Sequence, residues 1–299
     1  MDEDVPAAAS PNRALTAGEL FVAAMDESTA TLLRCDAALR AGAADPDVVH
    51  AARVALRRMR SNVQTFRPIL DPAWASRVRE RARWLAGGLG AARDADVLLA
   101  RVERCAHGMR HLDRERKDHV VALLRGVRVN AYRQLGAMTR EARYAALIDD
   151  LVHAASAPHL TERAGEDAGA LVPELMQAAW RRLRATNRQR SHPPTDADLH
   201  AIRIKAKRVR YAAEAVMPAA GGSALRFAKR VARLQTVLGE HRDALMSADQ
   251  LHAHVGGGDG AFFAAEVAAR ERAAARVERR RWRAAWNRVA ADDVRFWHA

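Results

Sequence analysis

HAARVALRRMR at residues 50–60 returns as HAIRIKAKRVR at residues 200–210. Both copies fit the pattern H-x-x-R-x-x-x-[RK]-R-x-R, and we call them the first and second basic segments. They lie 150 positions apart in a chain of 299 residues. A spacing of half the chain predicts an internal duplication in which each half carries the same cluster of cations. Repeated cations at matched positions indicate one polyanionic ligand that is held from two sides.

The repeat extends beyond the basic segments. LGAARD at residues 89–94 matches LGEHRD at residues 238–243 with an offset of 149. Leu85 with Leu234, and Arg77 with Arg226, match at the same offset. Because separate matches at nearly one offset argue against chance, we predict two packed bundles with about four helices in each half.

The composition predicts an all-α fold. Ala, Arg and Leu are abundant, whereas aromatic residues make up 5% of the chain, and this favours helices nearly throughout. Residues 1–13 are expected to form a disordered lead, and residues 14–155 the first helical-bundle repeat. Residues 156–169 contain Pro158, Gly165 and Gly169 and are predicted to be a linker before the second repeat, 170–299. Within the second repeat, one helix is expected to run from Ser223 to Leu238 and to end at Gly239.

Charge and cysteine content indicate the partner class and the compartment. The net charge of +13 points to an anionic partner. Cys35 and Cys105 are the two cysteines, and we expect free thiols in a reducing cytosol rather than a disulfide. The acidic N-terminus lacks the apolar core of a signal peptide, and no apolar run is long enough to cross a membrane. These features predict a soluble cytoplasmic protein that does not associate with membranes.

On a helix, each basic segment forms a stripe of cations about 15 Å long, because positions i, i+3, i+7 and i+10 fall within an arc of roughly 80°. An ordinary solvated face mixes charges of both signs, but residues 48–70 contain no acid. Arginine binds phosphate oxygens in a bidentate manner and lysine adds a point charge, so a polyphosphate-like ligand fits this face. The alternative is a stripe that faces solvent or nucleic acid. The predicted stripes consist of His50, Arg53, Arg57 and Arg60 in one half, and His200, Arg203, Lys207 and Arg210 in the other, flanked by Arg58 and Arg208.

Together with the Leu-Gly-x-x-Arg-Asp segments, the two basic segments resemble the CHAD domain, the conserved histidine α-helical domain. The resemblance covers residues from about 14 to 290. It implies two four-helix bundles with pseudo-twofold symmetry and a basic central cleft that binds inorganic polyphosphate. It also implies association with polyphosphate granules, and it leaves other polyanions open as partners.

The resemblance also implies which residues bind polyphosphate. The third helix of each repeat is expected to add cations to the basic segments, although neighbouring Arg79 and Glu80 are not matched by Ala228 and Lys229. The expected binding residues are His50, Arg53, Arg57, Arg58, Arg60, Arg77, Arg81, His200, Arg203, Lys207, Arg208, Arg210, Arg226 and Arg230.

The motifs favour a binding module without a catalytic residue, a metal site or a cofactor. Asp94 and Asp96 could pair around a metal, but Leu245 stands at the position matched to Asp96, so we expect structural contacts instead. No Gly-Lys-[Ser/Thr] run of a P-loop occurs. Tryptophans such as Trp180 and Trp286 are expected to pack between helices rather than stack on bases.

Two other functions stay open at this stage. One is nucleic-acid binding, against which stand the few aromatic residues and the lack of a base-reading pattern. The other is an accessory or enzymatic role in polyphosphate or triphosphate metabolism. CHAD domains often accompany CYTH domains, but this chain has no Glu-x-Glu-x-Lys run of that domain.

Overall fold

A computed structural model describes residues 14–109, 114–258, 260–291 and 295–298. Within these ranges the chain forms ten α-helices and no β-strand, which confirms the predicted all-α fold. The first six helices are α1 (Ala17–Arg40), α2 (Pro46–Thr65), α3 (Pro72–Gly88), α4 (Gly90–Gly108), α5 (Arg114–Thr139) and α6 (Ala142–Ser156). The others are α7 (Ala168–Arg188), α8 (Asp196–Ala215), α9 (Met217–Val255) and α10 (Ala261–Ala290). The predicted lead, residues 1–13, lies outside the described residues.

Side-chain caps fix the starts of the two helices that carry the basic segments. At α2, the Asp45 carboxylate accepts a hydrogen bond from the Val48 amide at 2.7 Å, and Pro46 takes the first helical position. At α8, Thr195 and Asp198 form a capping box. Each cap satisfies amides that the first turn leaves unpaired, which stabilises a helix by about 1 kcal/mol. The caps therefore set where each cationic stripe begins.

Glycines interrupt the helices differently in the two halves. In the first half, α3 ends at Gly88 and α4 begins at Gly90. The predicted end of a helix at Gly239 is wrong, because α9 continues to Val255. A single glycine inside a helix costs only about 1 kcal/mol relative to alanine, and packing of α9 against α8 and α10 offsets that cost. Instead, α9 is kinked at Gly221, whose φ of +66° suits glycine.

The buried side chains form two clusters, and each contains residues from both halves of the chain. The larger one includes Leu56 and Met59 from α2 with Ile202 and Val209 from α8. Leu56 and Met59 are fully buried, so α2 turns its apolar side to the core and its cationic stripe away from it. The smaller cluster joins α4, α5, α9 and α10, with Phe263 fully buried in it. The division into two symmetric bundles stays a prediction from the repeat.

The segment between α6 and α7, which we predicted to be a linker, is bound to the first half. The Asp71 amide donates to the carbonyl of His159 at 2.9 Å, and the Thr161 amide donates to that of Ile69 at 2.9 Å. The Ala17 amide donates to the carbonyl of Glu166 at 2.9 Å. The first two bonds hold the segment against the chain between α2 and α3, and the third holds the start of α7 against the start of α1.

Two predictions about individual residue types are confirmed. Both cysteines are free thiols. Trp180 is buried, stacks on Trp286 with ring centroids 6.0 Å apart and meets Trp297 edge-on, so these tryptophans pack helices together.

No described helix combines the length and apolar composition that are needed to span a membrane.

Candidate anion-binding site

The two basic segments meet where α2 packs against α8, around the buried side chain of Tyr211. Arg57 Nε donates a hydrogen bond to Tyr211 Oη at 2.7 Å. The guanidinium carbons of Arg57 and Arg58 each lie 5.8 Å from the centre of the Tyr211 ring, and that of Arg210 lies 5.9 Å from it. Tyr211 therefore joins the two segments. The repeat pattern missed this residue because the matched position in the first half is Ser61.

Four cations converge at the centre of this crossing, two from each segment. Burial, followed by the charges of Arg57, Arg203 and Arg53, lowers the pKa of Lys207 to about 7. The pKa of Arg203 is lowered by burial and also by the charge of Arg57, although Asp243 opposes this. Such repulsion between charges from α2 and α8 means that both helices present cations to one small volume. We call Arg53, Arg57, Arg203 and Lys207 the central cations.

The matched Leu-Gly-x-x-Arg-Asp segments support the central arginines. Arg53 Nη1 donates to the carbonyl of Ala86 at 3.2 Å, and a Cβ at Gly90 would lie 3.1 Å from that nitrogen. In the second half, a Cβ at Gly239 would lie 3.7 Å from Arg203 Nε. The glycines thus let each guanidinium approach a helix backbone closely. This explains why both halves place a glycine at nearly the same distance from the central arginine, 37 residues after Arg53 and 36 residues after Arg203.

An aspartate of each matched segment partly neutralises a central arginine. Arg203 Nη2 lies 3.7 Å from Asp243 Oδ1. Burial and the neighbouring Asp243 raise the pKa of Asp94, while Arg53 and Arg93 act in the opposite direction. As predicted, Asp96 makes a structural contact, since it accepts hydrogen bonds from Arg128 Nε and Tyr132 Oη, both at 2.7 Å. Asp94 and Asp243 therefore stabilise the central arginines Arg53 and Arg203, whereas Asp96 positions Arg128.

The two histidines lie at the start of the segments, beside arginines that the repeat analysis did not select. Burial, and next the charge of Arg93, lower the pKa of His50. Burial, and next the charge of Arg242, lower the pKa of His200. Both imidazoles are thus neutral at neutral pH and can donate one hydrogen bond each. Arg93 and Arg242 occupy the arginine position of the matched Leu-Gly-x-x-Arg-Asp segments, which is the signal that could have identified them.

Arg58 and Arg210 depart from the predicted stripe. Arg58 forms ion pairs with Glu27 at 3.0 Å and with Glu214 at 3.1 Å. Arg210 Nε pairs with Glu214 Oε1 at 2.6 Å, because Glu214 follows it by four residues along α8. Both arginines are neutralised by carboxylates, in contrast to the predicted role of free phosphate ligands.

The prediction for α3 also needs correction. Arg81 forms an ion pair with Asp150 of α6 at 3.1 Å, and Arg77 and Arg81 line a pocket with Trp84. Positions two residues apart on a helix differ by about 200° in direction, so Arg79 points to the other side. The positive charges of Arg79 and Arg83 act on Arg60, whose pKa is lowered first by burial and then by them. Arg79, rather than Arg77, therefore joins the first basic segment.

Arg226 and Arg230, the two arginines of α9 that were predicted to match Arg77 and Arg81, have no neighbours equivalent to Arg79 and Arg83. Arg226 is exposed and its Nη1 lies near Gly222, where an added Cβ would be 3.5 Å away. Arg230 is half-buried. The positions matched to Arg79 and Arg83 are Ala228 and Ala232, so α9 offers no cation at those positions.

A pocket of about 200 Å³ opens beside the central cations. Its walls include Ile204 and Tyr211, and no acidic residue is among the described residues that line it. Burial and the charges of Arg79 and Arg182 lower the pKa of Arg208 on its wall. An anion in this pocket would relieve the mutual repulsion of its cations. The cations that line it are Arg57, Arg60, Arg79, Lys207 and Arg208.

Anion binding at this site is expected to weaken as the pH rises above 7. The Lys207 pKa of about 7 means that the free site loses a proton near neutrality. A bound polyanion favours the charged ammonium of Lys207. At higher pH the protein must therefore take up a proton when it binds, and this weakens the affinity. We expect affinity for polyphosphate to fall by about tenfold between pH 7 and pH 9, as measured by calorimetric titration. A Lys207→Arg variant keeps its charge and should lose this dependence, whereas equal wild-type affinities at both pH values would contradict the assignment.

Comparisons with known proteins identify the family of this chain. A family model described as the CHAD domain matches residues 23–252. Two Mycobacterium tuberculosis proteins, the uncharacterized proteins MT2285 and Rv2226, are each 33% identical over 242 residues, which cover 76% of this chain. The matched region covers 44% of the length of each of these relatives.

Solved structures show the same fold. PptA from Streptomyces chartreusis aligns with a TM-score of 0.73 and 23% identity, over 91% of this chain and 99% of that chain. The CHAD domain from the plant Ricinus communis aligns with a TM-score of 0.72 and 22% identity, over 94% of this chain and 95% of that chain. At these identities the similarity establishes the architecture.

Proposed function

This chain belongs to the CHAD domain family, and we propose that its basic site binds inorganic polyphosphate without hydrolysing it. The observation that carries the proposal is the convergence of cations from α2, α3 and α8 on a pocket in which no described lining residue is acidic. Binding to polyphosphate would bring the protein to cytoplasmic polyphosphate granules.

The proposed mechanism is charge neutralisation along a linear polymer. Each cation of the pocket can pair with one phosphate unit, and each pair releases a counterion from the polymer. Arginine side chains such as Arg57 and Arg60 match two phosphate oxygens at once, and Lys207 adds a compact charge. The guanidinium groups are already held in place before the ligand binds. Binding therefore loses less conformational entropy.

The site favours polyphosphate over nucleic acid. Proteins that bind single strands present exposed aromatic rings on which bases stack. Here Tyr211 is buried, with the guanidiniums of Arg57 and Arg58 over its ring. A chain of phosphates without bases can enter a pocket between helices, whereas a duplex holds its phosphates outside a stack of base pairs.

We expect polyphosphate to displace DNA from this protein at fixed salt concentration. The measurement is fluorescence anisotropy of a labelled DNA duplex, with unlabelled polyphosphate or unlabelled duplex as competitor at equal phosphate concentration. Polyphosphate should compete at a concentration at least about tenfold lower, because binding to the pocket adds to the general attraction of the +13 charge. Equal competition by the two polymers would favour nucleic-acid binding instead.

We further predict that the purified protein does not release phosphate from polyphosphate or ATP with Mg²⁺ or Mn²⁺ present. Phosphoryl transfer needs a positioned nucleophile and usually carboxylates that hold metal. Asp96 is bound by Arg128 and Tyr132, and Asp94 lies beside Arg53. Colorimetric detection of phosphate provides the test. Release that follows the protein through purification, and disappears in Asp94→Ala or Asp96→Ala, would identify an enzyme.

A further inference from the structure

The crossing of α2 and α8 has two ends, and they carry different charges. In the repeat, Arg58 matches Arg208 and Arg60 matches Arg210. At one end, Arg58 and Arg210 pair with Glu27 and Glu214. At the other end, Arg60 and Arg208 are surrounded by further cations, so the duplicated segments no longer form equivalent sites.

Further cations at the second end come from α3 and α7. The charges that act on Arg60 are those of Arg79, Arg83 and Arg208. Those that act on Arg208 are those of Arg79 and Arg182. Arg79 and Arg182 lie outside both basic segments, and they bring the charge of two more helices to this end.

Two neighbouring pockets with shared walls lie between the central cations and this end of the crossing. The pocket that contains Arg57 and Lys207 shares Ser61, Gln64 and Arg208 with a second pocket. The second pocket lies between α2, α7 and α8, and its lining includes Arg182 and Lys205. Neither pocket has an acidic residue among the described residues that form its walls.

The opposite end presents carboxylates to any approaching anion. The pocket there is lined by Glu27, Arg58, Tyr211 and Glu214, among other residues. Since both glutamates hold arginines in ion pairs, this end has little net positive charge to offer. A phosphate chain that extended in this direction would have to displace those pairs and would be repelled by the carboxylates.

We propose that the bound polyphosphate chain leaves the site at one end only, through a subsite formed by Arg182 of α7 and Lys205 of α8 in the second pocket. This subsite extends recognition beyond the two basic segments. It rests on the proposed function, because it names where the polymer continues once the central cations have bound part of it. Short chains fill the centre alone, whereas longer chains also reach the subsite.

The test compares two double variants that each remove two positive charges. Arg182→Ala with Lys205→Ala removes the subsite cations, while Arg181→Ala with Arg184→Ala removes two exposed arginines of α7 close to Arg182 in the sequence. The probes are tripolyphosphate and a polyphosphate of about 100 units, titrated calorimetrically at one salt concentration. Thermal melting curves, monitored by circular dichroism, establish that both variants are folded.

The subsite variant should bind the long chain about tenfold more weakly and tripolyphosphate within twofold of wild type. The control variant should stay within twofold for both probes. If both variants weakened binding of the long chain equally, the proposed subsite would be wrong. The proposed function would still stand as long as the wild type binds polyphosphate. Failure of the wild type to bind polyphosphate would overturn both.

A gain of affinity tests the same asymmetry from the other end. Glu27→Gln with Glu214→Gln removes the carboxylates that neutralise Arg58 and Arg210. This variant should bind the long chain about threefold more tightly, since a second exit becomes available. Unchanged or weaker binding by the folded variant would show that the ion pairs do not decide where the chain leaves.

Discussion

Arg57→Glu and Lys207→Glu are each expected to weaken polyphosphate binding by about 100-fold, although the two residues lie in opposite halves of the chain. In the complex, where Lys207 carries its proton, each substitution changes the local charge by two units at the centre of the site. At 4 Å and an effective dielectric constant of about 20, one pair of charges interacts by about 4 kcal/mol, so a loss of about 3 kcal/mol per variant is consistent with that scale. The measurement is calorimetric titration with a long polyphosphate.

The folded state should tolerate these reversals. Lys207 lies near Arg53, Arg57 and Arg203 as well as Asp243, so a carboxylate there meets more cations than acids. Arg77→Glu, which reverses an exposed charge on α3, is the matched control and should change affinity by less than about threefold. If only one of the two central variants weakened binding, a site formed by a single half would replace the shared site.

Salt should weaken the binding of a long polyphosphate steeply. Five cations line the main pocket, and each neutralised phosphate of a single strand contributes about 0.7 to the slope of log affinity against log salt concentration. A slope of about −3.5 corresponds to a loss of roughly 100-fold between 50 mM and 200 mM NaCl. The titration is repeated at several NaCl concentrations, and the Arg57→Glu variant should give a shallower slope. A salt-independent affinity would mean that neutralisation of phosphates does not drive binding.

The sequence was sufficient to predict the all-α fold and the helices of the basic segments, because periodicity, caps and glycines are local signals. It was also sufficient to place Arg53, Arg57, Arg203 and Lys207 on facing surfaces, since their spacing fixes their direction on a helix. The end of a helix at Gly239 was predicted wrongly because one glycine is a weak signal against the packing of a long helix. That packing involves residues far away in the sequence.

The partners of Arg58 and Arg210 could not be predicted from the basic segments. Glu27 lies on α1, and its contact with Arg58 depends on how α1 packs against α2. For α3, the repeat pattern selected Arg77, because it matches Arg226, and did not select Arg79. Arg79 has only Ala228 as its counterpart, so a search for symmetry overlooks the residue that makes the two ends unequal.

The most direct test of the polyphosphate site is a calorimetric titration of the wild-type protein with phosphate chains of increasing defined length. The stripe of each basic segment is about 15 Å long, and it can pair with several phosphate units only if one molecule supplies them. We predict that affinity rises at least about 100-fold from orthophosphate to chains that fill the site, and then more slowly as longer chains reach the subsite. An affinity for orthophosphate equal to that for long chains would contradict the account.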